Sequence, residues 1–243
     1  MKLLTFAGRN AKEILRDPLT LFFGLGFPLI LLFLLSAIQA NVPVDLFVIQ
    51  SLAPGITVFG LSFITLFSAT VIAKDRSSSL LERLYTTPMS SADFILGYTI
   101  PILPMAMAQT ALCYLASLFW GLEPSVNILY AILLNVPVSV LFIALGLLFG
   151  SILNEKQVGG ICGALLTNLS AWLSGIWFDL SLVGDGFRRI AYALPFVHGV
   201  EMERAVLSGD YANILPHLIW VLGYGAVCLI AAVLLFLRQM KRR

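Results

Sequence analysis

Charge is scarce in this sequence: 15 Lys and Arg with 13 Asp and Glu make up only 12% of 243 residues. An average soluble domain carries about 25% charged residues, and here the charges sit in short segments between long apolar runs. Water is therefore excluded as the main solvent of the folded chain. A net charge of +2, with no basic stripe interleaved with aromatics, gives a polyanion nothing to bind, so nucleic acid is excluded as a partner.

Several kinds of chemistry are missing as well. No Gly-Lys dipeptide occurs, so the chain has no G-x-x-x-x-G-K-[ST] loop to cradle nucleotide phosphates. Its two histidines, His198 and His217, rule out an H-E-x-x-H zinc site or a Ser/His pair inside an apolar run, and no metal site is expected. The three cysteines, Cys113, Cys162 and Cys228, are an odd number lying within apolar runs, which fits neither a disulfide framework nor a metal cluster. The chain is not expected to be an enzyme.

What is present is hydrophobic: 59% of the residues, with a mean hydropathy of +0.95. Crossing a bilayer takes about 20 apolar residues, and six stretches without Lys, Arg, Asp or Glu meet that length. They run from Leu19 to Ile38, Phe47 to Ala73, Phe94 to Phe119, Ile128 to Leu153, Val158 to Phe178 and Leu218 to Leu237. The pattern predicts an all-α integral membrane protein with six transmembrane helices in a single domain, 1–243. The charged N-terminus does not read as a cleavable signal peptide.

Basic residues set the orientation, because they accumulate on the cytoplasmic side. With both termini inside, Lys2, Arg9, Lys12, Arg16, Lys74, Arg76, Arg83, Lys156, Arg238, Lys241, Arg242 and Arg243 are cytoplasmic, leaving Arg188, Arg189 and Arg204 outside. Carriers coupled to protons or sodium keep carboxylates at membrane depth; no span contains one, which counts against a secondary carrier.

Three segments lie outside the spans. Lys2 to Arg16 sets Leu3, Leu4, Ala7, Ala11, Ile14 and Leu15 at helical spacing against Arg9, Lys12 and Glu13, the pattern of an interfacial amphipathic helix. Asp179 to His217 is mixed in polarity and predicts short helices dipping into the outer leaflet, with His198, Glu201, Glu203 and Arg204 as a structural polar cluster. Lys74 to Asp93 is the long cytoplasmic loop. Ser79 and Glu82 have capping-box spacing, Leu80, Leu81, Leu84 and Tyr85 form an apolar face, and Thr87-Pro88 ends the helix. Such a helix either docks a partner or rests on lipid headgroups. Among the spans, Gly146 with Gly150 and Gly159 with Gly163 allow close helix crossings, within one bundle or between copies.

At this loop the chain resembles the type-2 ABC exporter permease family, where an acidic-Arg pair, a Leu-Glu-x-Leu and a Thr-Pro-x-Ser precede the third helix. The matching residues are Asp75-Arg76, Leu81-Glu82-Arg83-Leu84, Thr87-Pro88-Met89-Ser90 and Gly97. The departures are Ser77 to Ser79 in place of Gly-Thr and Tyr98 in place of Lys. The resemblance covers nearly the whole chain, including a stretch from Leu194-Pro195-Phe196 to Arg204 that looks like the family's outer re-entrant hairpin between helices 5 and 6.

The resemblance implies a permease subunit of an ATP-driven exporter in the cytoplasmic membrane of a prokaryote. It implies pairing with a second permease copy or homologue and with two copies of an ABC ATPase subunit that bind ATP and Mg, since this chain holds no cofactor. Coupling to the ATPase falls to Asp75, Arg76, Leu81, Glu82, Arg83, Leu84 and Tyr85, on and beside a short cytoplasmic coupling helix between helices 2 and 3. In the family the second and fifth helices line the path, which makes Phe59, Phe63, Phe67, Asn168 and Trp172 candidates for drug-like, antibiotic, peptide or lipid-like cargo. The same aromatics would equally serve a bundle core. A non-transporting membrane anchor or assembly subunit is the alternative in another class.

Overall fold

The computed structural model describes residues 2–78, 80–87 and 89–241, and only the backbone of residues 82, 85 and 239–241. Ser79, Pro88, Arg242 and Arg243, and the side chains of Glu82 and Tyr85, lie outside the described residues. No strand occurs among those described.

Helix α1 (Lys2–Arg16) ends where Asp17 caps the next helix, accepting from the Leu19 amide at 3.1 Å, with Pro18 in the first helical position. Helix α2 (Pro18–Asn41) contains a π-helical stretch, Phe22–Gly26, immediately before Pro28, which has no N–H to give the carbonyl of Gly24. Helix α3 (Ile49–Ser77) is followed by the short α4 (Leu80–Tyr85). Ser90 and Asp93 then form a capping box that opens α5 (Ser91–Leu118), the amide of Ser90 donating to Asp93 at 2.8 Å.

Helix α6 (Val126–Ile152) leads into α7, built from Glu155–Val158, a π-helical stretch Gly159–Leu166, and Thr167–Leu173. Two shorter helices follow, α8 (Asp185–Tyr192) and α9 (Pro195–Ser208), and the chain closes with α10 (Ile214–Lys241).

Among the described residues, five helices are long and apolar enough to cross a membrane: α2, α3, α5, α6 and the stretch Tyr211–Arg238 that contains most of α10. The fifth expected span, Val158 to Phe178, is not among them. Four glycines, Asn168, Ser170 and Ser174 dilute its apolar content, and the helix stops at Leu173, two residues before Gly175 takes a left-handed φ of 67°.

Helix α3 is the axis of the bundle. In its most apolar window 89% of the residues are buried, against 28% for α2 and 22% for the last span. It packs against α2, α5, α6, α7 and α9. The seam with α6 is close because Gly146 and Gly150 face it: a Cβ on Gly150 would lie 2.8 Å from the Ala69 carbonyl oxygen, and one on Gly146 2.8 Å from that of Thr65. That pair therefore serves packing within one chain. Gly159 faces open space, and Gly163 has only ordinary contact with Leu66.

Helix α1 is docked rather than loose. Its buried residues are Phe6, Ala7, Asn10 and Ile14, while Leu4 and Leu15 point outward. The apolar stripe expected from spacing thus divides between protein and the exterior, with Phe6 and Asn10 as the added anchors. Phe6 meets Tyr98 edge-on at 5.0 Å, and its ring fills the space beside Gly97, where a Cβ would lie 2.3 Å from Phe6 Cδ1.

Candidate functional site

The last turn of α3 gathers four other elements. Successive residues of a helix point about 100° apart, so three neighbours in sequence can reach three different partners. Asp75 turns inward: it is 1% exposed, and its Oδ2 accepts from Arg9 Nη1 at 2.6 Å and from the Tyr98 hydroxyl at 2.9 Å. That joins α3 to α1 and α5. The guanidinium of Arg76 donates to the carbonyls of Gly150 at 2.8 Å and Leu153 at 3.2 Å, satisfying acceptors that the end of α6 leaves open. Ser77 donates to Glu155 in the first turn of α7.

The network extends across α1. Arg9 Nη2 pairs with Glu13 at 2.8 Å, Glu13 also pairs with Lys74 at 3.1 Å, and Asn10 donates to the carbonyl of Gly97 at 3.0 Å. Tyr98, a departure from the family pattern, supplies one of the two donors to Asp75. Sequence spacing did not single out Arg9, Asn10 or Tyr98 as a set, because their contact joins segments 66 and 87 residues apart.

Helix α4 starts directly after this turn. Leu81 is buried in the core of the chain, Leu84 is half-buried against it, and Arg83 is exposed. Of the coupling candidates, Asp75, Arg76 and Leu81 are thus engaged inside the chain, and Arg83 is directed outward.

The path candidates do not share one surface. Phe59, Phe63 and Phe67 are buried; Phe63 lies within 5.8 Å of Phe23, Phe27 and Phe59, and Phe59 is 6.0 Å from Trp177. They fill the contact between α3, α2 and the segment that follows α7. Asn168 and Trp172 lie on the outward face of α7, Trp172 52% exposed and Asn168 donating to the Ala164 carbonyl at 2.8 Å.

Around α9, the expected polar cluster divides in three. Arg204 pairs with Glu201 at 2.9 Å and donates to the carbonyl of Gly175 at 3.0 Å. His198 Nδ1 is 2.8 Å from His217 Nδ1, and its Nε2 is 3.0 Å from the Tyr192 carbonyl. Glu203 points the other way, fully buried, to the hydroxyl of Tyr114 on α5. Hydropathy gave no sign that Glu203 would be enclosed, since it lies outside every apolar run.

Residues 1–208 match the family model described as ABC-2 type transporter. Two relatives carry the name transport permease ycf38. That of Porphyra purpurea is 33% identical over 238 residues, covering 93% of this chain and 80% of the relative. That of Pyropia yezoensis is 27% identical over 240 residues, covering 94% and 81%.

Proposed function

This chain belongs to the ABC-2 type transporter family of multi-pass membrane permeases, and from that premise we propose that it is the membrane subunit of an ATP-driven exporter. Its cargo is drug-like, antibiotic, peptide or lipid-like. Two copies of a separate ABC ATPase bind ATP and Mg and dock against α4, and a second permease completes the path. Helix α7 serves as a sixth span, both termini are cytoplasmic, and α8 with α9 forms an outer re-entrant hairpin. The membrane is the cytoplasmic membrane of a prokaryote; the algal plastid source of the relatives favours a plastid membrane as the second reading.

The observation that carries this reading is the hub at Asp75, Arg76 and Ser77, beside α4. A push on α4 reaches the end of a buried central helix that is bonded to α1, α5, α6 and α7. Closure of the ATPase pair on nucleotide would then move these elements together and shift the balance between inward- and outward-facing states. An anchor without a path would have no use for such a linkage.

Interface energy concentrates in a few apolar or aromatic anchors. With Leu81 committed to the core, that part falls to Leu84 and Tyr85, with Glu82 and Arg83 at the rim. Leu84→Ala with Tyr85→Ala is expected to insert and accumulate normally but to lose both co-purification with the ATPase and efflux. Charge removal at Glu82 and Arg83 acts more mildly and with salt dependence, since rim ion pairs contribute under ~1 kcal/mol. Normal ATPase retention and efflux by the double alanine variant would remove α4 as the coupling element.

A further inference from the structure

A slot of about 920 Å³ opens between α1, the start of α2 and the end of α3. Its rim carries Arg9, Lys12, Arg16 and Lys74 together with Glu13 and Asp17. Most of these charges are already engaged. Arg9 is held by Asp75 and Glu13, Lys74 by Glu13, and the Asp17 carboxylate accepts from the Leu19 amide and, at 2.7 Å, from the Thr20 hydroxyl. Lys12 and Arg16 remain, four residues apart on one face of α1, exposed and without a partner among the described residues.

Below this rim the chemistry changes. Phe67, Thr70 and Val71 of α3 form the wall, and seven residues of helix from Lys74 to Phe67 place the aromatic floor about 10 Å beneath the charged edge. Two uncommitted cations over an apolar slot, beside an amphipathic helix at the end of a membrane-spanning one, match a ligand with an anionic head and a hydrocarbon tail. A phosphate offers several charged acceptors to Lys and Arg at once.

We propose that this slot binds an anionic phospholipid of the adjoining leaflet, its phosphate on Lys12 and Arg16 and an acyl chain along Val71 to Phe67. The site rests on α1 lying at a membrane surface and is independent of the transport reading, so binding is measured without ATPase or efflux.

The full-length chain is purified into mixed micelles with equal dioleoyl-phosphatidylglycerol and dioleoyl-phosphatidylcholine, and retained lipid is counted by native mass spectrometry. The wild type is expected to retain the glycerol lipid about tenfold over the choline lipid. Lys12→Gln with Arg16→Gln brings the ratio to near one, and Thr70→Phe, which plugs the slot without changing charge, lowers it as well. Lys156→Gln, a cation elsewhere on the expected cytoplasmic face, leaves it unchanged. Equal retention of the two lipids by the wild type, an unaltered ratio in the Lys12/Arg16 variant, or an equal fall in Lys156→Gln overturns the proposal. Insensitivity to Thr70→Phe would reduce the effect to surface attraction, and displacement by soluble glycerol phosphate would make it a phosphate site; either result overturns the lipid assignment.

Discussion

Tyr114 on α5 and Glu203 on α9 are hydrogen-bonded through phenol and carboxyl, both side chains fully buried, and Oε1 of Glu203 has no partner among the described residues. An ionised carboxylate enclosed without a cation is far more costly than the neutral acid, so burial raises the Glu203 carboxyl well above the usual carboxylate range. The unfolded chain would release that proton above about pH 4.3. Stability from this group is therefore present at low pH and lost as pH rises. Glu203→Gln, neutral at every pH, is expected to gain in melting temperature relative to the wild type between pH 5 and 8. Tyr114→Phe should cost about 1–3 kcal/mol by stranding the carboxyl, measured by thermal unfolding in detergent.

Arg9 and Asp75 form an unequal pair, the guanidinium half-exposed and the carboxylate 1% exposed. Removing Arg9 leaves a buried negative charge with Tyr98 as its remaining side-chain donor, whereas Asp75→Asn leaves only a solvated cation with Glu13 beside it. Arg9→Gln should destabilise by about 3 kcal/mol, Asp75→Asn by less, and the double variant by less than the sum. A double-mutant cycle on melting temperature checks this. Additive losses would show that Arg9 and Asp75 are not coupled and that α1 is held by its other contacts, Phe6, Asn10 and Ile14 among them.

Little of this was written in the local pattern. Apolar runs predicted α2, α3, α5, α6 and α10 because length and hydropathy are properties of a segment. The Asp75 hub was half legible: the sequence set Asp75 and Arg76 apart by their place beside α4, but the partners Arg9, Tyr98 and the carbonyl of Gly150 come from remote segments. Phe59, Phe63 and Phe67 show the reverse limit. Their spacing marks one face of α3, and only packing reveals that α2 covers it. Glu203 was invisible because its enclosure depends on how α9 folds back onto α3 and α6.

His198 and His217 face each other through Nδ1 atoms 2.8 Å apart, so one donates and the other accepts, and protonating both would oppose two cations at that distance. Burial holds His198 below the ordinary histidine value, with the Tyr192 carbonyl and Glu201 acting in the opposite sense. A lowered value in the folded state means that the stabilisation is complete above about pH 6.5 and is lost as pH falls below it. In a Glu203→Gln background, which removes the opposing slope, melting temperature should fall between pH 7 and 5. His198→Gln should flatten that fall; an undiminished slope would assign it to other groups.

Gly150 and Gly160 test which glycines the bundle needs. An added methyl on Gly150 would meet backbone, 2.8 Å from the Ala69 oxygen and 2.9 Å from its Cα, and α3 cannot yield there without disturbing the bond from Arg76 to the Gly150 carbonyl. Gly150→Ala should therefore cost about 1–3 kcal/mol as an overpacked contact. A Cβ on Gly160 would meet none of the described residues within 4 Å, and Gly160 lies on the same outward row of α7 as Ala164, Asn168 and Trp172. Gly160→Ala should leave the monomer's melting temperature unchanged or raise it, since alanine is favoured over glycine in a helix by about 1 kcal/mol. Bulk at the same place separates packing within the chain from packing between copies. Gly160→Leu should melt like the wild type in detergent, yet lower the yield of crosslinked dimer in membranes if the second permease lies against this row. Full dimer yield with Gly160→Leu would move the contact between copies to another face of the bundle.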